Sequence, residues 1–267
     1  LLRLRIITGA VLGTAVTVAV LLLPTSAMAA VLGVLWVVGA WEWAGLAGRH
    51  GPPRWAYTAA VAAVMAAALV WPWPLEWLEG AAWTALAWWI VAFVAVVRYP
   101  APFPDGGILP AGVAALIPAW LLLARLHSAG PRGAALTLMA FVLVWAADVG
   151  AYTFGRLVGR VKLAPRVSPG KTWEGVVGGA ALAAAAAAAA SLWLGLPPLA
   201  LIVLAVVTAL VSVVGDLTVS MLKRGRGLKD TGHVLPGHGG VLDRIDGLIA
   251  AVPAFVLGLK WIGVIDW

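Results

Sequence analysis

The chain has 267 residues, 63% of them hydrophobic and only 11% charged, against roughly 25% charged in an ordinary soluble domain. Too few polar side chains exist to coat a water-soluble globule, and a mean hydropathy of +1.01 makes lipid the solvent. The absence of cysteine removes disulfides, thiolate metal sites and cysteine nucleophiles. The excess of 18 Lys and Arg over 11 Asp and Glu reads as the basic bias of cytoplasmic loops, not as a nucleic-acid surface.

Apolar runs between Pro, Gly and charge punctuation predict an all-α, polytopic integral membrane protein with about nine transmembrane helices. They fall near residues 6–23, 27–47, 55–71, 80–97, 107–127, 133–155, 174–194, 199–222 and 245–264. The first run lacks a small-residue cleavage site before the next span and reads as an anchor; a start without Met points to a trimmed or unusual start. With the N-terminus cytoplasmic, 15 of the 18 basic residues lie on the cytoplasmic side, and Arg125, Arg132 and Lys260 lie outside. Register and orientation therefore agree.

Residues 1–130 read as a scaffold holding 11 of the 16 Trp residues, with Trp71, Trp73 and Trp77 forming an aromatic belt at the outer face. Residues 131–267 read as a catalytic region with polar cytoplasmic loops at 156–173 and 223–244. In the seventh span, Gly175 and Gly179 set a small-xxx-small spacing ahead of the low-complexity tract Ala180 to Ala190. Such spacing lets helices approach closely; packing within the chain is its first reading, a homodimer contact its second.

The loop 223–244 places glycines at 225, 227, 232, 237, 239 and 240, interleaved with Arg226 and Lys229. Glycine lets backbone amides approach an anion and the cations neutralise it, so a phosphate-bearing guest fits; a basic connection touching anionic headgroups fits equally well. Acids that the membrane discourages favour the first reading. Asp216 lies near the inner edge of the eighth span, and Ser220 and Arg224, each four residues further, share its face. Asp243 and Asp246 share one face of the first turn of the ninth. Carboxylates beside a phosphate-binding loop suggest a hard divalent cation, Mg²⁺ above all. Helix capping accounts for Asp243 and Asp246, but not for Asp216 at the C-terminal end of its helix.

Asp148, in the inner half of the sixth span, is an intramembrane acid and so a candidate site residue, whereas Glu174 reads as a charge at a helix start. Ser168, Pro169, Gly170, Lys171 and Thr172 form a second anion-binding candidate at a helix N-terminus. His238, between Gly237 and Gly239, either binds phosphate or stabilises the turn, and His50 and His127 read as boundary residues. No Ser-His-Asp set, HExxH or Walker loop is present.

The segment from Ser220 to Asp246, SMLKRGRGLKDTGHVLPGHGGVLDRID, resembles the signature of the phosphatidate cytidylyltransferases, or CDP-diglyceride synthases. The serine, Lys223-Arg224, Lys229-Asp230, His238-Gly239-Gly240 and Asp243-Arg244-x-Asp246 carry the match, and DVGAYTFGRLVGR and SPGKTWEG are similar to the family's other shared segments. The resemblance implies a nucleotidyltransferase of phospholipid biosynthesis in the inner membrane, making CDP-diacylglycerol and pyrophosphate from CTP and phosphatidic acid at a site facing the cytoplasm. It further implies a metal centre at Asp216, Asp243 and Asp246, with Mg²⁺ and a companion K⁺, and Ser220, Lys223 and Arg224 among the substrate phosphates. A CTP-dependent kinase of a lipid alcohol such as a polyprenol is the nearest alternative, and a carrier using Asp148 and Asp216 a more distant one.

Overall fold

The computed structural model describes residues 2–71, 74–234 and 239–266, so Trp73 and His238 lie outside the described residues. Among these it contains nine helices: α1 (Leu2–Leu22), α2 (Thr25–Leu46), α3 (Pro52–Val70), α4 (Leu75–Arg98), α5 (Asp105–His127), α6 (Gly133–Leu157), α7 (Trp173–Leu194), α8 (Pro198–Gly225) and α9 (Leu242–Trp261). Seven of them, α2 to α8, are long and apolar enough to cross a membrane. Apolar runs become helices in lipid because the backbone must satisfy its own hydrogen bonds there. Proline opens α3 and α8, where its missing N–H costs nothing, and Gly195 in the left-handed region closes α7.

The largest departure from the expected boundaries is at α4, which starts at Leu75 and takes in Glu76 and Glu79; acids are favourable in a first helical turn. A second departure lies in the loop 156–173. Part of it is a hairpin, β1 (Lys162–Ala164) and β2 (Ser168–Thr172), antiparallel, with Lys162 opposite Thr172 and Ala164 opposite Ser168.

Two glycine-mediated crossings position the polar residues. Gly150 of α6 faces the backbone of Gly178 and Gly179 on α7, and a Cβ added at Gly179 would stand 2.6 Å from the Ala147 carbonyl oxygen. The Gly175 and Gly179 spacing thus serves packing within the chain. On α8, Gly215 abuts the backbone carbonyl of Asp246, so the next residue, Asp216, is brought beside α9.

The connections assigned to one side of the membrane meet at one end of the bundle. Arg226 donates from Nε to the Leu46 carbonyl at 2.8 Å and pairs with Asp105 at 2.6 Å, while Arg224 reaches the Val167 carbonyl at 3.2 Å. At the other end Lys260 pairs with Glu79 at 2.5 Å. His127 also lies there, buried, with Nε2 facing the Val20 carbonyl and Nδ1 facing the Thr25 hydroxyl, both at 2.8 Å. The carbonyl requires the Nε2–H tautomer, leaving Nδ1 to accept from Thr25. Trp71 and Trp77 are exposed, whereas Trp36, Trp43 and Trp120 are core residues; the indole N–H groups of Trp43 and Trp120 donate to the carbonyls of Ile108 and Ala29.

Candidate active site

A cavity of about 670 Å³ opens among α6, α8, α9 and the hairpin. Asp148, Tyr152 and Arg156 line it from α6, Ser168 and Lys171 from β2, Asp216 and Lys223 from α8, and Asp243, Arg244 and Asp246 from α9. Seven of the expected site residues therefore share one space although they are spread over a hundred positions. The crossing at Gly215 and the α6–α7 contact are the backbone causes.

Two clusters are distinct within it. In the first, Lys171 Nζ lies 2.6 Å from Asp216 Oδ2, and Ser220 Oγ donates to Asp216 Oδ1 at 3.2 Å. Asp148 and Asp246 each interact electrostatically with Asp216 and with Lys171, and Asp246 Oδ1 accepts from the Gly247 N–H at 2.8 Å. Three carboxyl groups from three helices thus share one ammonium, a crowding that a further cation relieves.

In the second cluster, Lys223 Nζ lies 2.6 Å from Asp243 Oδ1, with side chains only 11% and 5% exposed. The other oxygen, Oδ2, accepts from the Thr231 N–H at 2.9 Å, the Gly240 N–H at 3.1 Å and the Thr231 hydroxyl at 3.0 Å. Asp243 thus has both oxygens engaged, and it faces a different set of partners from Asp216 and Asp246. Among the described residues, no group of three Asp, Glu or His side chains is arranged to hold a metal by itself. Mg²⁺ commonly takes one or two carboxylates and completes its shell with water and substrate phosphates, and the first cluster fits that donor requirement.

Other expected residues stand elsewhere. Arg224 donates to the carbonyls of Val167 and Leu228 at 3.2 and 3.3 Å, clamping the hairpin to the following loop, and Lys229 is exposed. Neither lines the cavity, and nor do Gly239 and Gly240. Glu174 accepts the Val161 N–H at 3.1 and 3.2 Å and the Thr172 hydroxyl caps α7 through the Gly175 N–H at 3.1 Å, so both latch the hairpin that presents Lys171.

Sequence reasoning passed over Glu42 of α2. It is 1% exposed and accepts from Val241 N–H at 3.1 Å, Leu242 N–H at 2.7 Å and the Thr231 hydroxyl at 2.8 Å. The signal was available: Glu42 is the one acid in the first 75 residues, set within an apolar span, and an intramembrane acid calls for a partner.

The fold and the site together define a multi-pass helical bundle with cations and carboxylates gathered round one cavity. The chain belongs to the Cytidylyltransferase family, whose pattern it matches over residues 3–262. It is 46% identical over 270 residues to the phosphatidate cytidylyltransferase of Pseudomonas aeruginosa, covering 98% of this chain and 97% of that one. It is 38% identical over 285 residues to the protein of the same name from Haemophilus influenzae, covering 96% and 97%, and 42% identical over 156 residues to that of Brucella suis, covering 58% and 56%.

Proposed function

We infer that the chain is a nucleotidyltransferase that converts CTP and phosphatidate into CDP-diacylglycerol and pyrophosphate. The observation that carries this reading is the single cavity in which Lys171, Lys223 and Arg244 stand with Asp148, Asp216 and Asp246, in a chain of this family. A phosphate oxygen of phosphatidate attacks the α-phosphorus of CTP; the bond from that phosphorus to the β-bridging oxygen breaks, and pyrophosphate leaves with the electron pair. A phosphate monoester has its second pKa near about 6, so the nucleophile is already largely ionised at neutral pH and needs no base. The difficulty is bringing two polyanions together, which cations and fixed orientation resolve. Among the described residues, no histidine lines the cavity.

In this reading Lys171 from β2 and Arg244 from α9 neutralise phosphate charge, and Lys223 joins them when its bond to Asp243 is exchanged for a substrate oxygen. Asp216 and Asp246 would hold Mg²⁺, with Asp148 adding charge nearby and Ser220 orienting Asp216. When bound, the ion supplies charge neutralisation for the leaving pyrophosphate. Asp243, the third expected ligand, pairs with Lys223 and holds the loop, and it would join the metal when Lys223 turns to a substrate oxygen. Inner-membrane residence with the cavity facing the cytoplasm is supported by the 15 to 3 distribution of basic residues.

Product analysis tests the reaction. Protein in detergent with CTP, phosphatidic acid and Mg²⁺ is expected to release pyrophosphate and form CDP-lipid; release of CDP with phosphorylation of an added lipid alcohol would establish the kinase alternative. A second expected outcome concerns Lys171. Its pair with Asp216 is 26% and 33% exposed, so Lys171→Ala changes stability by about 1 kcal/mol or less, while the KM for at least one substrate rises about tenfold through the lost phosphate contact. Unchanged KM values for both substrates would remove β2 from the site.

A further inference from the structure

The glycine-rich loop 225–240 reads as a cradle for a phosphate, yet part of it already holds an anion of the chain itself. A Cβ on Gly232 or on Gly240 would collide with the Glu42 carboxyl group. These two glycines therefore permit close approach to a carboxylate that arrives from α2. Glu42 accepts the backbone N–H groups of Val241 and Leu242, the amides that open α9. It takes two of the donors that a helix start leaves unsatisfied, and its negative charge suits that end of the helix dipole. The Thr231 hydroxyl lies 2.8 Å from Glu42 Oε2 and 3.0 Å from Asp243 Oδ2, so one proton bridges the two carboxylates.

We propose that Glu42 is a positioning residue for the reaction: it anchors the loop and the first turn of α9 to α2, and through Thr231 it fixes the carboxylate of Asp243 that holds Lys223 at the cavity wall. The proposal rests on the reaction inferred above for its kinetic consequence, and on geometry alone for its structural one. Asp243 stands in the first turn of α9, and the glycines at 232 and 240 that precede it impose little backbone constraint of their own. A buried carboxylate with three short donor contacts, one of them through a shared hydroxyl, supplies that constraint. A fall in kcat at unchanged KM is the pattern of an interaction made in the transition state and not in the ground state, and it is the pattern this role requires.

Glu42→Gln keeps the side-chain shape but turns an amide N–H toward backbone N–H donors. In detergent-solubilised protein it is expected to lower kcat about 10- to 100-fold, with KM for CTP and phosphatidate within about twofold of the parent, and Glu42→Asp, which keeps the charge, recovers part of kcat. Amide exchange in the peptides covering 229–243 should quicken in the protein alone, without substrate or metal, while α5 and α6 keep the parent rate. A parent-like kcat per folded molecule in Glu42→Gln overturns the proposal, as does a loss confined to KM. Should Glu42→Gln not fold, Thr231→Val removes the bridging hydroxyl and leaves the α9 cap in place; it is expected to lower kcat at unchanged KM, and a parent-like kcat again overturns the proposal. If the parent protein forms no CDP-lipid, the inferred reaction fails, and unchanged exchange at 229–243 in Glu42→Gln would separately overturn the anchor.

Discussion

Asp246→Asn is expected to reduce CDP-lipid formation on the order of 10³-fold while leaving the protein at least as stable as the parent. The two outcomes have one cause. Asp246 sits in a crowd with Asp148 and Asp216 that shares the ammonium of Lys171. An asparagine of the same shape still accepts the Gly247 N–H through Oδ1, so local geometry persists, and one member of a group of like-charged acids is gone. Such crowding is unfavourable in a folded chain without its cation, and its retention is the mark of a site that trades stability for chemistry. If Asp246 holds Mg²⁺ as proposed, the loss of turnover follows from the lost carboxylate oxygen; several kcal/mol of transition-state stabilisation at about 1.4 kcal/mol per decade gives the stated magnitude. Turnover at saturating Mg²⁺ and thermal unfolding in the same detergent check the two halves. Near-normal synthesis would refute the metal role, and a large fall in melting temperature would show that Asp246 supports the fold instead.

How much of this was legible in the sequence depends on which force sets each feature. The helices were legible to within about five residues at each end, because lipid imposes a length and a composition that water does not; the Pro52 and Pro198 starts and the Gly195 stop are local signals. The hairpin at 162–172 was not. Lys162–Ala164 is three residues and Ser168–Thr172 reads SPGKT, too short and too polar to show alternation, and its stability comes from α7, through Glu174 and Thr172. The site acids were individually legible as charges in the wrong solvent, but their division into two clusters was not. It depends on the crossing at Gly215 and on a partner, Glu42, two hundred residues from the groups it caps. The glycine-rich loop shows the same effect: its composition announced an anion, and only the fold reveals that for Gly232 and Gly240 the anion is internal.

The second large effect is expected at Lys223. This ion pair with Asp243 is nearly enclosed, at 11% and 5% exposure, and removal of Lys223 leaves the Asp243 carboxylate without its counter-charge, held by the Thr231 and Gly240 donors alone. Lys223→Met should therefore destabilise the fold by about 3 kcal/mol or more and also abolish turnover. The decisive comparison is the double variant Lys223→Met with Asp243→Asn. The asparagine carbonyl still accepts from the N–H groups of Thr231 and Gly240, its amide takes the place of the charged oxygen that faced Lys223, and no buried charge remains. Stability in the double variant should return most of the way to the parent while turnover stays lost. Unfolding midpoints of the parent, both singles and the double form a cycle whose coupling measures the pair. Additive losses in that cycle would mean that Lys223 and Asp243 act independently, and the cavity wall would then owe its shape to the contacts of Glu42 alone. Recovery of folding without recovery of turnover separates the two roles of Lys223, as the counter-charge that allows a carboxylate to lie buried and as a cation offered to substrate phosphate.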